Sequence, residues 1–307
     1  MIGHREYKRP KLSVCVVCYN HEDYIRQCLE SIFSQETDFE FEVIIGDDNS
    51  PDGTLDVIRR SIKNAPVKVT LLERPKNVGA LENLIQVHQM ATGDYVAHID
   101  GDDAMLPGKL QKQVDFLDAH PGCSVLWHGV VRFQDNTFSD AMKFRFLSDA
   151  IEKHDMRDLI LYGPLGNHSS SMYRNGTRSF QYESTDVIDW RIYVENLSVG
   201  YGVLMHEVLG AYRTDVLNSL TYGKNALRVG RSMARSLYEV SKKYPEFRKE
   251  FFFAALYRAI IYRNKSIKLT VMYSMIALAN ISLVTPNYFF RVIKNYKRLL
   301  GVRFHTL

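Results

Sequence analysis

Three carboxylates crowd one glycine in Asp100-Gly101-Asp102-Asp103, directly after the run Tyr95-Val96-Ala97-His98-Ile99. In an extended chain, side chains two apart lean the same way, so Asp100 and Asp102 can face one ligand together. Neighbouring carboxylates repel unless a cation or a proton sits between them. A hard divalent ion with oxygen ligands, itself holding substrate phosphates, meets that need. The competing reading is an acidic turn after a strand, because Asp and Gly are common turn residues.

A sheet edge must position these acids. Leu12-Ser13-Val14-Cys15-Val16-Val17-Cys18 reads as a buried strand, and residues 23–33 carry Tyr24, Ile25, Cys28, Leu29 and Ile32 at helical spacing. Phe41-Glu42-Val43-Ile44-Ile45 is a second strand, running into Gly46-Asp47-Asp48. A helix over 54–62, a strand over 67–72, a loop through Asn77-Val78-Gly79, a helix over 80–90 and the strand at Tyr95 complete a βαβαβαβ order. That order predicts a parallel sheet with right-handed crossovers and ligands at its carboxyl edge. No G-x-G-x-x-G follows the first strand and no G-x-x-x-x-G-K-[ST] occurs, so dinucleotide-binding Rossmann and P-loop readings lose their main support. An acidic site reaches phosphate only through a metal that inverts the local charge. Pro107 and the spacing of Leu106, Leu110, Val114 and Leu117 announce a further helix, for which Asp103 could serve as cap.

The bulk properties are those of a globular protein: 307 residues, 46% hydrophobic, 24% charged and a net charge of +4. Length alone predicts about two domains. The charge is unevenly placed, since no Asp or Glu follows Glu250 while nine Lys and Arg do. Such a tail fits an anionic partner. The first ten residues hold no apolar core of a secretory signal. Cys15 and Cys18 sit an odd number apart in a strand and so face opposite sides, which argues for buried thiols rather than a metal or redox pair.

The succession Val17-Cys18-Tyr19-Asn20, Ile44-Ile45-Gly46-Asp47-Asp48-Asn49-Ser50-Pro51-Asp52-Gly53-Thr54, Asn77-Val78-Gly79 and Ile99-Asp100-Gly101-Asp102-Asp103 resembles the family 2 glycosyltransferases. The resemblance implies an α/β GT-A fold, Rossmann-like, with a mostly parallel central sheet flanked by helices. It implies an inverting transfer of a sugar from a nucleoside-diphosphate donor, with a UDP-sugar as the expected donor, to a glycan or lipid-linked hydroxyl. Asp102 would bind Mn²⁺ or Mg²⁺, with Asp100 behind it facing the ribose or a metal-bound water. Tyr19, Asp48 and Asn77 would line the donor nucleotide. Gly166-Asn167-His168-Ser169-Ser170-Ser171-Met172-Tyr173-Arg174 resembles the family's polar strand opposite the donor. Asp186-Val187-Ile188-Asp189-Trp190 resembles the helix start carrying its catalytic base, which points to Asp189, with Asp186 and Glu183 in reserve. The alternative role for Asp189 is a helix N-cap. Ala211-Tyr212-Arg213-Thr214 matches the family's Y-R, with Thr214 where a histidine often follows. His168, lacking a partner at ligand spacing in the sequence, reads as an ordinary hydrogen-bonded histidine.

The chain divides on this reading into a nucleotide-sugar half over 1–125, an acceptor half over 126–223 and a helical, basic extension over 224–307. Residues 269–290 carry no charge, but Asn280 and Pro286 interrupt them. The basic, aromatic segment over 289–300 fits an anionic membrane interface better than nucleic acid. The expected location is cytoplasmic, peripheral on the inner face of the membrane. A helical subdomain packed on the core is the competing reading of the extension. A nucleotidyltransferase and a non-catalytic glycan- or membrane-binding module remain the competing functions.

Overall fold

The structure, a computed structural model, describes residues 9–134, 137–141, 153–182, 189–214 and 226–281. Glu183, Asp186 and the basic segment over 289–300 lie outside the described residues.

Four parallel strands form the first half of the sheet. β1 (Leu12–Cys18) is flanked by β2 (Phe41–Asp47) and β4 (Tyr95–Asp100), and β3 (Lys68–Glu73) pairs with β2. β1 and β2 are buried almost throughout, because helices cover both faces and their Val and Ile side chains pack on each side. The crossovers are α1 (Ile25–Phe33), α2 (Thr54–Ser61) and α3 (Ala80–Gln89). Cys15 and Cys18 fall in different core clusters on opposite faces, and all four cysteines are free and buried.

The sheet then turns mixed. The two-residue β5 (Ala104–Met105) leads to α4 (Lys109–Ala119) and to β6 (Cys123–Gln134). β6 also pairs with β7 (Thr137–Ala141), and β8 (Lys153–His154) precedes α5 (Met156–Tyr162). β9 (Met172–Arg174) inserts antiparallel between β4 and β6, and β10 (Tyr201–Arg213) runs parallel to β6 after α6 (Asp189–Leu197). The long path is β3-β2-β1-β4-β9-β6-β10-β5. The division expected at residue 125 falls inside β6, so the residues on its two sides share one sheet.

Helices α7 (Ala226–Lys243), α8 (Arg248–Tyr262) and α9 (Ile267–Ala279) follow. Ala234, Leu237, Phe251, Ala254, Leu269 and Tyr273 join the same core cluster as Trp127, Trp190 and Tyr193. The described part of the extension therefore packs on the core, as the competing reading held. The uncharged run is not one long helix: α9 stops at Ala279, where Asn280 closes it. Among the described residues, no helix is long and apolar enough to cross a membrane.

Candidate active site

The acids stand where the parallel strands end. Asp47 closes β2, Asp48 follows it and Asp100 closes β4, with the end of β1 between them. Gly101 is demanded by contact: a Cβ there would lie 2.7 Å from Cys18 Cβ and 3.0 Å from His21 Nδ1. Its N–H donates to the Val17 carbonyl at 2.9 Å, which pins the acidic turn to β1. Oxygens of Asp100, Asp102 and Asp103 all lie within 4.8 Å of one another.

Their surroundings divide the three. Asp103 is buried and accepts from the Arg213 N–H at 2.9 Å. Burial, then the charges of Asp102 and Asp100, push its carboxyl well above the usual range. It is not the cap of the next helix: Gly108, left-handed at φ 80°, precedes α4. The reason is β5, which pairs with β10 and draws residue 103 inward before the helix begins. Burial also raises the carboxyl of Asp102, against the His21 imidazole 3.9 Å away and reinforced by the Asp100 charge. Burial works the same way on Asp100, but its hydrogen bond to His98 and the neighbouring imidazoles outweigh it and hold that carboxyl low. One ionised acid beside two whose ionisation is resisted is the electrostatic strain that a divalent cation relieves. These oxygen donors fit such an ion, with Asp102 and Asp100 keeping 19% and 38% of their side chains exposed.

Arg213 clamps the turn. Its Nε donates to the Asp102 carbonyl at 3.0 Å and a terminal nitrogen donates to Gln27 Oε1 at 2.6 Å. The guanidinium lies over the rings of Phe133 and Tyr24, at 4.2 and 4.5 Å. The Y-R sequence thus supplies a backbone anchor for the acids from the far end of the sheet.

A chain of imidazoles starts from Asp100. His98 Nε2 lies 3.2 Å from Asp100 Oδ1, His98 Nδ1 3.0 Å from His88 Nε2, and His88 Nδ1 2.7 Å from the Tyr173 hydroxyl. An ionised Asp100 only accepts, so His98 donates to it. His98 stacks on His168 with centroids 3.8 Å apart, and His168 Nδ1 lies 3.5 Å from Asp189 Oδ1. The partners at ligand spacing that His168 lacks in the sequence are present in space, since ligand atoms of His98, Asp100 and His168 lie within 4.8 Å of one another, and His168 stands between the acidic turn and the first residue of α6. The segment around it is not a strand throughout, since residues 168–170 form a 3₁₀ turn before β9. That turn matters, because Ser169 Oγ accepts the Asp100 N–H at 3.0 Å. Lys109 and Gln113 of α4 hold the turn by donating to the carbonyls of Ser169 and Ser170, at 2.6 and 3.0 Å. Burial drops the Lys109 amine to about 7, opposed by the Asp103 charge.

Burial lowers His168 to about 4, with the Asp189 charge opposing it, and also drives His88 and His128 well below their ordinary value. Between pH 6.5 and 4 the unfolded chain binds protons at these sites that the folded one does not. Their contribution is therefore complete above pH 6.5 and is lost as pH falls towards 4, with about 3 kcal/mol from His168 alone. Thermal unfolding followed by circular dichroism should show Tm falling over that window, and His168→Asn should flatten the fall. An unchanged slope in the variant contradicts the assignment.

At the end of β2, Asp48 is buried and its two oxygens accept the N–H groups of Val78 and Gly79, at 2.7 and 2.9 Å. Asn77 Nδ2 donates to the Asp48 carbonyl at 3.0 Å. Asp48 and Asn77 thus fasten the 77–79 loop to the end of β2, leaving one further acceptor site on each Asp48 oxygen. Tyr19 is 44% exposed at the end of β1, and its neighbour Asn20 takes a left-handed φ of 58°. His21, His98, Lys109 and Arg213 escaped the sequence reading as site residues. Two of them carried a signal there: Arg213 in the family's Y-R, and His98 as a polar residue two before Asp100 in an apolar strand.

An open, mostly parallel sheet with an acidic, cation-ready turn at its carboxyl edge is the architecture of GT-A nucleotide-sugar transferases. Residues 13–176 match the model of glycosyl transferase family 2, and the chain belongs to that family. Proteins of Mycobacterium bovis and Mycobacterium tuberculosis are 32% identical over 208 residues, 66% of this chain, and the chain spans only 58% of their length. TuaG of Bacillus subtilis, named for teichuronic acid biosynthesis, is 30% identical over 222 residues, covering 70% of this chain and 83% of TuaG. Among solved structures, S. aureus TarS 1–349 with UDP-GlcNAc superposes with a TM-score of 0.62 at 18% identity, over 87% of this chain and 79% of that one. The mannosyltransferase PcManGT of Pyrobaculum calidifontis, with GDP-Man and Mn²⁺, gives 0.53 at 16% identity, over 97% and 87%. At such identities the likeness shows the fold, which is GT-A.

Proposed function

We propose that the chain is an inverting glycosyltransferase acting on a nucleoside-diphosphate sugar, a UDP-sugar in our reading. The acceptor is a hydroxyl of a glycan or lipid-linked precursor in cell-surface polysaccharide or lipopolysaccharide synthesis. The observation that carries this is the approach of two acidic centres, the Asp100–Asp102 turn and Asp189, joined through His98 and His168. The UDP-GlcNAc complex of TarS and the role named for TuaG support the donor and the pathway class.

Asp102, with Asp100, would hold Mn²⁺ or Mg²⁺. When bound, the cation supplies positive charge against the diphosphate as the glycosidic bond breaks. The chain's own residues do the rest. Tyr19 offers an exposed ring face to the base, and Asp48 and Asn77 shape the loop beside it. Asp189, half exposed at the start of α6, takes the proton from the acceptor hydroxyl as its oxygen attacks the anomeric carbon. His168 orients that carboxylate from its buried side. A single displacement inverts the anomeric configuration. Asp186 and Glu183 are the reserve bases. The enzyme works at the cytoplasmic face of the membrane.

Release of UDP from UDP-GlcNAc or UDP-glucose tests the reading. It should require Mn²⁺ or Mg²⁺, stop with EDTA and return when metal is added in excess. Turnover indifferent to EDTA contradicts it.

A further inference from the structure

Helix α9 is apolar on all its sides, so docking one side on the core leaves another apolar side outward. Leu269, Tyr273, Ile276 and Ala277 face the core. Ile267, Val271, Met275 and Leu278 form one stripe along the outer side, and they are 77%, 49%, 65% and 66% exposed. Their spacing keeps all four within a sector of about 80° on a helical wheel. Ile281, just past the helix end, is 66% exposed as well. An amphipathic helix of a water-facing domain carries polar residues on that side. Exposed Arg263, Lys265 and Lys268 flank the start of the stripe, and no acidic residue follows Glu250 anywhere in the chain.

We propose that this outer face of α9 docks on an anionic lipid bilayer, with the helix lying along the interface and the three cations at headgroup level. The thirteen residues of α9 are too few to span the hydrocarbon core. Charge decides between occupants. The α9 face of a second copy would bring no carboxylate to these cations, since none follows Glu250, whereas anionic headgroups complement them while acyl chains receive the apolar stripe. The surface is built from α9 itself and does not depend on the 289–300 segment. It extends the functional reading without resting on it, because lipid binding is measured independently of sugar transfer.

The test is flotation of the full chain with vesicles of phosphatidylcholine alone, or with about a quarter phosphatidylglycerol, at low and high salt. The wild type should bind the anionic vesicles, release them at high salt and ignore the neutral ones. Met275→Asp with Leu278→Asp should lower partitioning about tenfold or more, and Lys265→Glu with Lys268→Glu should lower it at low salt only. All variants should keep the wild-type Tm and its UDP release from a soluble donor. Absence of wild-type binding overturns the proposal. So does binding undiminished by the Met275→Asp and Leu278→Asp pair, which would move the contact to another segment. A dimer by light scattering that the same pair dissolves would assign the face to a second copy and also overturn it.

Discussion

Asp102→Asn should lower turnover of the nucleotide sugar by at least about 100- to 1,000-fold while leaving the fold intact. Asparagine keeps the shape and one oxygen but loses the charge that a cation needs. The contacts that fix the turn run through the backbone, at the Asp102 carbonyl and the Gly101 N–H, so the substitution leaves them in place. Removing one of three crowded carboxylates also relieves repulsion on Asp103 and Asp100, so Tm should hold or rise. Activity down with stability up is a signature that mere misfolding does not produce. Turnover within twofold of wild type contradicts the assignment of Asp102.

Asp189→Asn should cost about 100- to 10,000-fold in kcat with little change in donor affinity, because it removes a proton acceptor and not a donor contact. The amide still fits beside His168, so the start of α6 is preserved. Comparing kcat with the dissociation constant for UDP separates the roles: a base mutant loses the first and keeps the second. If Asp189→Asn retains activity while Asp186→Asn or Glu183→Gln loses it, the base belongs to that residue instead.

Much of the first, parallel half of the sheet was legible in the sequence because its signals are local. β1 and β2 announce themselves as short Val- and Ile-rich runs buried on both faces, and the carboxyl ends of parallel strands locate the acids. The opposite facing of Cys15 and Cys18 followed from strand period alone. What the sequence concealed depends on pairings distant along the chain. Asp103 read as a cap because Pro107 and an apolar helical spacing follow it, yet β10 captures it from 110 residues away. His168 looked solitary because His98 and Asp189, its neighbours in space, lie on a different strand and a different helix. Lys109 carried no signal in the sequence, because only the packing of α4 against the 168–170 turn buries it. The outer face of α9 was equally hidden, since periodicity cannot tell which side of a helix apolar all round meets the core.

On the function proposed, the Asp100–Asp102 turn binds a nucleoside diphosphate through a divalent cation. A thermal-shift screen of UDP, GDP, ADP and CDP, each with and without Mn²⁺, tests it most directly. Ligand at about 100 times its dissociation constant stabilises the fold by about 2.7 kcal/mol, a shift of several degrees for a chain of this size. That shift is expected for UDP with Mn²⁺, little for UDP alone or for the other nucleotides, and none in Asp102→Asn. A shift of equal size without metal, or one that survives Asp102→Asn, would contradict it.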